Sequence, residues 1–377
     1  MNNSKKHPFT AAAITTAALV ALAAGATAQA QSVTLYGVID TGIETVSNTA
    51  TGSLTRLPSN TGILASRWGM RGREDLGGGL AAVFTLESGF SPDTGASGQG
   101  GRLFGRQALV GLSGNWGAVT VGRQYSMLYW SLLDADIVGP SVFGLGSLDA
   151  YIPNARTDNS VAYRAKFDAL SVGAAYSLGR DTVNAGPSPV GTNCAGESGA
   201  DAQACRAWSL MAKYDAPTWG TALAYDLQRG GVPATGTVFG GLTSSGKKDA
   251  RLSLNGYVKL DAAKLAAGVI SRDNDGSTTR PKSKLWYVGA SYAVTPAFTL
   301  DGTVAKLAYK NFDNGDSTLV AMRALYKLSK RTTVYGQLGH ISNQSLAAVS
   351  VSGGAPGSNP LAGGSQTGTM VGINHSF

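Results

Sequence analysis

The chain predicts an all-β fold, a transmembrane antiparallel β-barrel of sixteen strands, and three observations carry that prediction. Segments of about ten residues, rich in Val, Leu, Tyr and Gly, alternate apolar and polar side chains all along residues 31–377, and no helical period is sustained. The links between segments switch regularly between very short and very long. Charged residues make up 14% of the chain and 51 of its 377 residues are Gly, against roughly 25% and ~7% in an ordinary soluble domain. The 43% apolar content excludes a disordered chain, the lack of a Gly-X-Y period excludes a collagen, and two cysteines exclude a disulfide scaffold.

Residues 1–30 read as a signal peptide. Lys5 and Lys6 are its positive region, Phe9 to Ala26 its Ala/Thr/Leu/Val stretch, and Ala28-Gln29-Ala30 the small-residue cleavage pattern, with the cut before Gln31. The leader carries two of the 31 basic residues and none of the 23 acidic ones, so the net charge falls from +8 to +6 in the exported chain. That charge is modest and scattered, so no nucleic-acid partner is expected. Residues 31–377 also lack any run of eighteen apolar residues, which leaves strands as the only means of crossing a membrane.

The candidate strands follow at 32–46, 62–74, 79–90, 102–113, 117–124, 158–167, 170–179 and 206–215. A second set covers 219–228, 249–260, 263–272, 283–294, 297–310, 317–328, 331–342 and 368–377. Most are long enough for the roughly 9–11 residues that a tilted strand needs to cross a bilayer. Asp168-Ala169, Ala216-Pro217-Thr218, Asp261-Ala262, Thr295-Pro296 and Ser329-Lys330 make short turns. Gly/Ser/Asn-rich stretches at 47–61, 125–157, 180–205, 229–248 and 343–367 make long loops. Tight turns at one end and long loops at the other are the layout of an outer-membrane barrel, with turns periplasmic and loops external. Every backbone polar group in hydrocarbon must be bonded within the protein, so the sheet closes, and an even strand count brings its first and last strands together at the periplasmic side.

Side-chain parity then assigns faces. In 297–310, Phe298, Leu300, Gly302 and Val304 alternate with Thr299, Asp301 and Thr303, while 317–328 is ambiguous. Around Trp68 the period of two sets Arg67, Arg71 and Arg73 on one face and Trp68 and Met70 on the other. An Arg facing lipid at the bilayer midplane costs roughly 2–4 kcal/mol, so these arginines face the lumen or its mouths, and Arg106 and Arg164 follow by the same rule. Whether they act on solutes or merely keep the lumen wet is open at this point. Tyr36, Trp116, Tyr163, Trp208, Tyr214, Trp219, Tyr257 and Trp286 are candidates for interfacial girdles. Catalysis is not expected: outside the leader only His340 and His375 remain, with no metal spacing and no marked nucleophile, so no metal and no cofactor is assigned. Cys194 and Cys205, eleven apart in one loop of an exported chain, read as a disulfide.

These residues resemble the general diffusion porins of Gram-negative outer membranes, in particular the trimeric β-proteobacterial type. The matching stretches are Val33 to Asp40 (VTLYGVID), Ser66 to Leu80 (SRWGMRGREDLGGGL), Gly105 to Ser126 (GRQALVGLSGNWGAVTVGRQYS), Asp158 to Arg164 (DNSVAYR) and Gly372 to Phe377 (GINHSF). The resemblance implies a single barrel domain over 31–377 and a homotrimer in the bacterial outer membrane. Each pore is narrowed by a constriction loop at about 125–157. Arg67, Arg106 and Arg164 match a ladder of basic side chains on the wall, with Asp134 and Asp136 of the loop opposite and Arg71 and Arg73 as further lining; Asp149 is a lesser candidate.

Two departures bear on selectivity. The enteric relatives read Pro-Glu-Phe-Gly where this chain has Pro140-Ser141-Val142-Phe143-Gly144, and they carry a Lys where it has Val38. Three arginines against two aspartates imply a weak anion preference. Phe377, with Val371 and Ile373 at alternate positions before it, resembles the signal read by the outer-membrane assembly machinery. Other expected partners are small hydrophilic solutes and ions, outer-membrane lipid and lipopolysaccharide. Loop acids Asp273, Asp275, Asp313 and Asp316 are candidates to bridge lipid phosphates through divalent ions, or are plain solvated turns. Two alternative functions are a substrate-specific porin and a non-conducting surface adhesin or structural barrel.

Overall fold

The computed structural model describes residues 32–180, 192–231 and 239–377; the leader assigned to residues 1–30 lies outside them. Among the described residues seventeen strands form one antiparallel sheet: β1 (Ser32–Thr49), β2 (Gly52–Arg56), β3 (Arg67–Gly77), β4 (Leu80–Gly89), β5 (Gln107–Gly114), β6 (Gly117–Tyr125), β7 (Arg156–Phe167), β8 (Leu170–Ser177), β9 (Ala207–Asp215), β10 (Trp219–Arg229), β11 (Lys248–Leu260), β12 (Ala263–Asn274), β13 (Lys282–Ala293), β14 (Phe298–Tyr309), β15 (Ser317–Lys327), β16 (Thr332–Asn343) and β17 (Gln366–Ser376). β2 pairs only with the top of β1, inside the first long loop, and the other sixteen strands run β1-β3-β4 and onward to β17, which returns to β1.

Closure is visible residue by residue. Val38 to Val46 of β1 pair with β17, and Phe377 and Gly37 exchange both backbone hydrogen bonds, at 3.1 and 3.0 Å. The strands leave no open edge in the wall, which is what hydrocarbon demands of backbone amides. Among the described residues no helix is long and apolar enough to cross a membrane.

The alternation holds in the register. Asp301 and Thr303 of β14 are buried towards the lumen while Leu300 and Val304 are exposed on the outer face. On β15 the ambiguity resolves the same way, with Leu319 and Ala321 buried inside and Met322 outside. Outward Trp116, Trp208, Tyr214, Trp219 and Trp286 stand exposed, and Trp116 stacks on Tyr163 at 6.4 Å. Tyr36 and Tyr257 are not girdle residues. Tyr36 pairs with Gly69 on the inward parity and donates to Glu87 at 3.0 Å, and Tyr257 donates to Asp215 at 2.9 Å, so both rings sit in the lumen. Position near a strand end suggested lipid, but parity decides the face.

Strand limits shift where loops intrude. Residues 62–66 and 102–106, expected as strand, are loop, because their backbone groups bind other loops and wall side chains: Ile63 and Leu64 both donate to Asp40. The inward loop occupies residues 126–155, between β6 and β7, close to the expected 125–157. Cys194 and Cys205 are joined, with Cα atoms 5.4 Å apart. His340 and His375 both stand exposed on the outer face of the wall, bonded to Thr367 at 3.0 Å and Thr332 at 2.9 Å.

Candidate functional site

The site is built by the long loop between β6 and β7 folding into the barrel, and the wall is shaped to receive it. The loop opens with a helix, Met127–Leu132, whose first N–H donates to Ser209 Oγ on β9 at 2.6 Å. It then crosses the lumen. Arg323 on β15 donates to the carbonyls of Val138 and Ile137 at 2.8 and 3.1 Å while Asp301 on β14 holds the same guanidinium at 2.6 Å. Further on, Val142 donates to Gly62 O and accepts from Gly353 N–H, each at 2.8 Å.

Phe143 plugs the loop into the wall. Its ring lies against Gly339 and Gly368, which face each other across β16 and β17, and a Cβ added to Gly339 would lie 2.7 Å from the ring. Glycine at these inward positions leaves a notch that no other residue would leave. The return leg is fixed by charge: Arg251 on β11 grips Asp149 at 2.9 and 3.2 Å, and Tyr151 donates to Asp226 on β10 at 2.7 Å. Burial opposes ionisation of Asp149, yet the Arg251 and Arg272 guanidinium groups outweigh it and hold the carboxyl down to about 2. Asp149 is therefore a structural anchor of the loop.

Facing the loop, basic side chains gather on β3, β5 and β7. Arg67 turns inward from β3 with Nε 3.7 Å from Glu87, as parity required, and Arg71 and Arg73 line the same face below it. Arg71 lies over the Tyr36 ring at 5.3 Å, and Arg73 donates to Ser113 at 2.7 Å. Arg106, just before β5, is 6% exposed; it donates to Glu87 at 2.7 Å and to Tyr125 OH at 2.6 Å. Arg156, at the start of β7, stacks over Tyr125 at 4.6 Å. Arg164 lies over the Trp130 ring at 3.6 Å and has no acidic partner among the described residues. Between wall and loop, Arg67, Arg106, Arg156, Tyr129 and Asp136 line a cavity of about 130 Å³.

The two expected loop acids separate. Asp136 lines this cavity and accepts from the Gly139 N–H at 3.2 Å. Asp134 turns instead to Lys213 on β9, whose other partner is Asp215 at 3.2 Å. Burial pushes the Asp136 carboxyl up to about 7, against the opposing pull of the Gly139 N–H and Arg323. Burial also works against the charge on Asp134, but the bond from Lys213 prevails and lowers it. Sequence reasoning missed Glu87, Arg156, Lys213 and Arg323. Glu87 was reachable, since it stands opposite Gly69 on the inward parity of β3 and β4. Arg323 was not, because its role depends on where a distant loop lands.

The arrangement is a narrow, charged passage between a wall and an inserted loop. Comparison with known proteins agrees. A family model described as Gram-negative porin matches residues 15–346. Outer membrane porin protein 32 of Delftia acidovorans is 30% identical over 96% of this chain and 98% of its own length. An outer membrane porin protein of Bordetella pertussis is 39% identical over 45% of this chain and 48% of its own. The solved anion-selective porin from Comamonas acidovorans superposes with a TM-score of 0.74 at 25% identity, covering 92% of this chain and 100% of that one. The chain belongs to the Gram-negative porin family and resides in the bacterial outer membrane.

Proposed function

We propose that the protein is a general diffusion porin, passing small hydrophilic solutes and ions without turnover through a pore that weakly prefers anions. The observation that carries this reading is the charge balance of the constriction. Arg67, Arg106, Arg156 and Arg164 stand on the wall, Glu87 compensates part of that charge, Asp134 is committed to Lys213, and burial pushes the Asp136 carboxyl up, against its charged form. A fixed positive field in a narrow, low-dielectric passage concentrates anions and repels cations. The anion-selective relative from Comamonas acidovorans supports the sign.

A substrate-specific pore would want ring faces lined up along the lumen. Here Tyr125 stacks on Tyr129 at 3.8 Å and Trp130 carries Arg164, so these rings serve to hold the guanidinium groups. The assembly is a homotrimer, as in relatives whose structures include a trimer form. Phe377 is the assembly signal, its place beside Gly37 making it the last link of the closing seam. Liposome swelling with a series of neutral sugars and matched sugar acids and amino sugars tests the reading: rates should fall smoothly with size, and acids should enter faster than amines of equal size. Uptake of one solute alone, with saturation, would indicate a specific channel, and no uptake an adhesin or structural barrel.

A further inference from the structure

The long external loop between β8 and β9 carries the disulfide and a buried arginine that take no part in the charge of the constriction. Cys194 and Cys205 are fully buried, and Arg180, just past β8, is 1% exposed. The backbone of Cys194 lies against that of Arg180 as a short antiparallel rung, with hydrogen bonds of 2.8 and 3.0 Å in the two directions. Beside it Gly196 packs so closely on Leu178 that any side chain there would collide with the Leu178 carbonyl. On the other side, Cys205 N–H donates to Gly230 O at 2.9 Å, and Cys205 O accepts from Gln228 Nε2 at 2.8 Å. The disulfide therefore ties the segment over Arg180 to the end of β10.

Arg180 reaches from this staple to the constriction loop. Its Nε donates to Gln228 Oε1 at 3.1 Å and its Nη2 to Tyr151 OH at 3.0 Å, and the guanidinium lies 5.1 and 5.2 Å from the Tyr151 and Phe239 ring centroids. Tyr151, on the return leg of the loop, donates in turn to Asp226 at 2.7 Å. Asp226 also accepts from Ser209, which takes the first N–H of the loop's helix at 2.6 Å, so one carboxylate joins both legs of the loop. A guanidinium presents its donors in a rigid fork, and its attraction to ring faces is strongest where water is excluded. Arg180 thus holds Tyr151 in one geometry.

We propose that Arg180 is a positioning residue of the constriction, and that the external disulfide, by seating Arg180 on Tyr151, sets the place of the loop in the pore. Oxidised, the staple restricts the chain between Cys194 and Cys205 and keeps the rung to Arg180 formed. Reduced, the rung must hold on its own hydrogen bonds, the guanidinium loses its seat, and the return leg of the loop is freed to move. The proposal rests on the reading of this loop as the narrowing element.

The test compares single-channel records of the purified, folded protein before and after dithiothreitol, which breaks the S–S bond, leaves a thiol on each cysteine and is itself oxidised to a cyclic disulfide. The Cys194→Ser/Cys205→Ser variant removes the bond without the reagent, and heat-modifiability on gels shows that each preparation is folded. Reduction and the double variant should both raise conductance and open-channel noise and move the reversal potential across a KCl gradient towards zero. Dithiothreitol should leave the double variant unchanged. Arg180→Gln, with the disulfide intact by mass, should reproduce the shift, and Arg180→Lys should reverse part of it. Folded, reduced protein with the parent's conductance, noise and reversal potential would overturn the proposal, as would a shift on reduction with none in Arg180→Gln. Arg323→Ala recorded alongside separates two failures. A shift there with none on reduction strikes only the role of the staple; no shift in either means that the loop does not narrow the pore, and the proposal falls with that reading.

Discussion

At the residue scale, the four arginines of the constriction are not equivalent. Arg106 is buried and shares Glu87 with Arg67, whereas Arg164 lies over an indole and has no acidic partner among the described residues. Arg164→Gln is expected to reduce anion preference more than Arg106→Gln, read as the change in reversal potential across a salt gradient. Arg106→Gln should instead cost stability, roughly 3 kcal/mol or more, because it strips a buried carboxylate of its closest cation; urea unfolding of the folded barrel checks this. Asp136 makes a pH prediction. Its carboxyl, pushed up to about 7, is mostly neutral at pH 6 and mostly charged at pH 8, so anion preference should rise as pH falls through that window. Asp136→Asn should hold the low-pH selectivity at both values; an unchanged pH dependence in that variant would assign it to another group. The inward arginines on strands were legible because parity and the cost of charge in lipid suffice. The difference between Asp134 and Asp136 was not, since it depends on Lys213, eighty residues or so along the chain and two strands around the wall.

At the scale of elements, the inserted loop behaves as a part fitted into the barrel by glycine notches and one guanidinium clamp. Replacing Gly339 with Leu fills the notch that Phe143 occupies, and Arg323→Ala removes the donors to Ile137 and Val138. Either change should raise single-channel conductance and weaken selectivity as the loop leaves the lumen, with little effect on the wall strands, each of which keeps its ladder. Unaltered conductance in both variants would mean that the loop is not the narrowing element. Strand positions were readable from alternation because each strand faces two different solvents. The extra strand β2 and the non-strand stretches at 62–66 and 102–106 were not, because they are decided by contacts with wall residues distant in sequence: Arg56 reaches Glu44 at 2.7 Å, the N–H groups of Ile63 and Leu64 reach Asp40, and Arg106 Nε reaches Glu87 at 2.7 Å.

At the scale of the whole molecule, closure and polarity follow from one requirement, that no backbone amide be left unpaired in hydrocarbon. The seam between β1 and β17 is where that requirement is met last, and Phe377 lies at its end. Deleting Phe377 should sharply lower the yield of folded barrel on heat-modifiability gels, while channels that do assemble keep the parent conductance. The closed count of sixteen followed from the alternating segments, and counting three arginines against two aspartates gives the same sign as the proposal; what counting left out is the pairing, since Glu87 holds Arg106, Asp134 holds Lys213 and burial pushes the Asp136 carboxyl up. The most direct test of the account is single-channel recording of the purified protein in a planar bilayer, with the reversal potential taken across a KCl gradient. Conductance in threefold steps with an anion-leaning reversal is the predicted result. A cation-leaning reversal, or a folded barrel that conducts nothing, would contradict it.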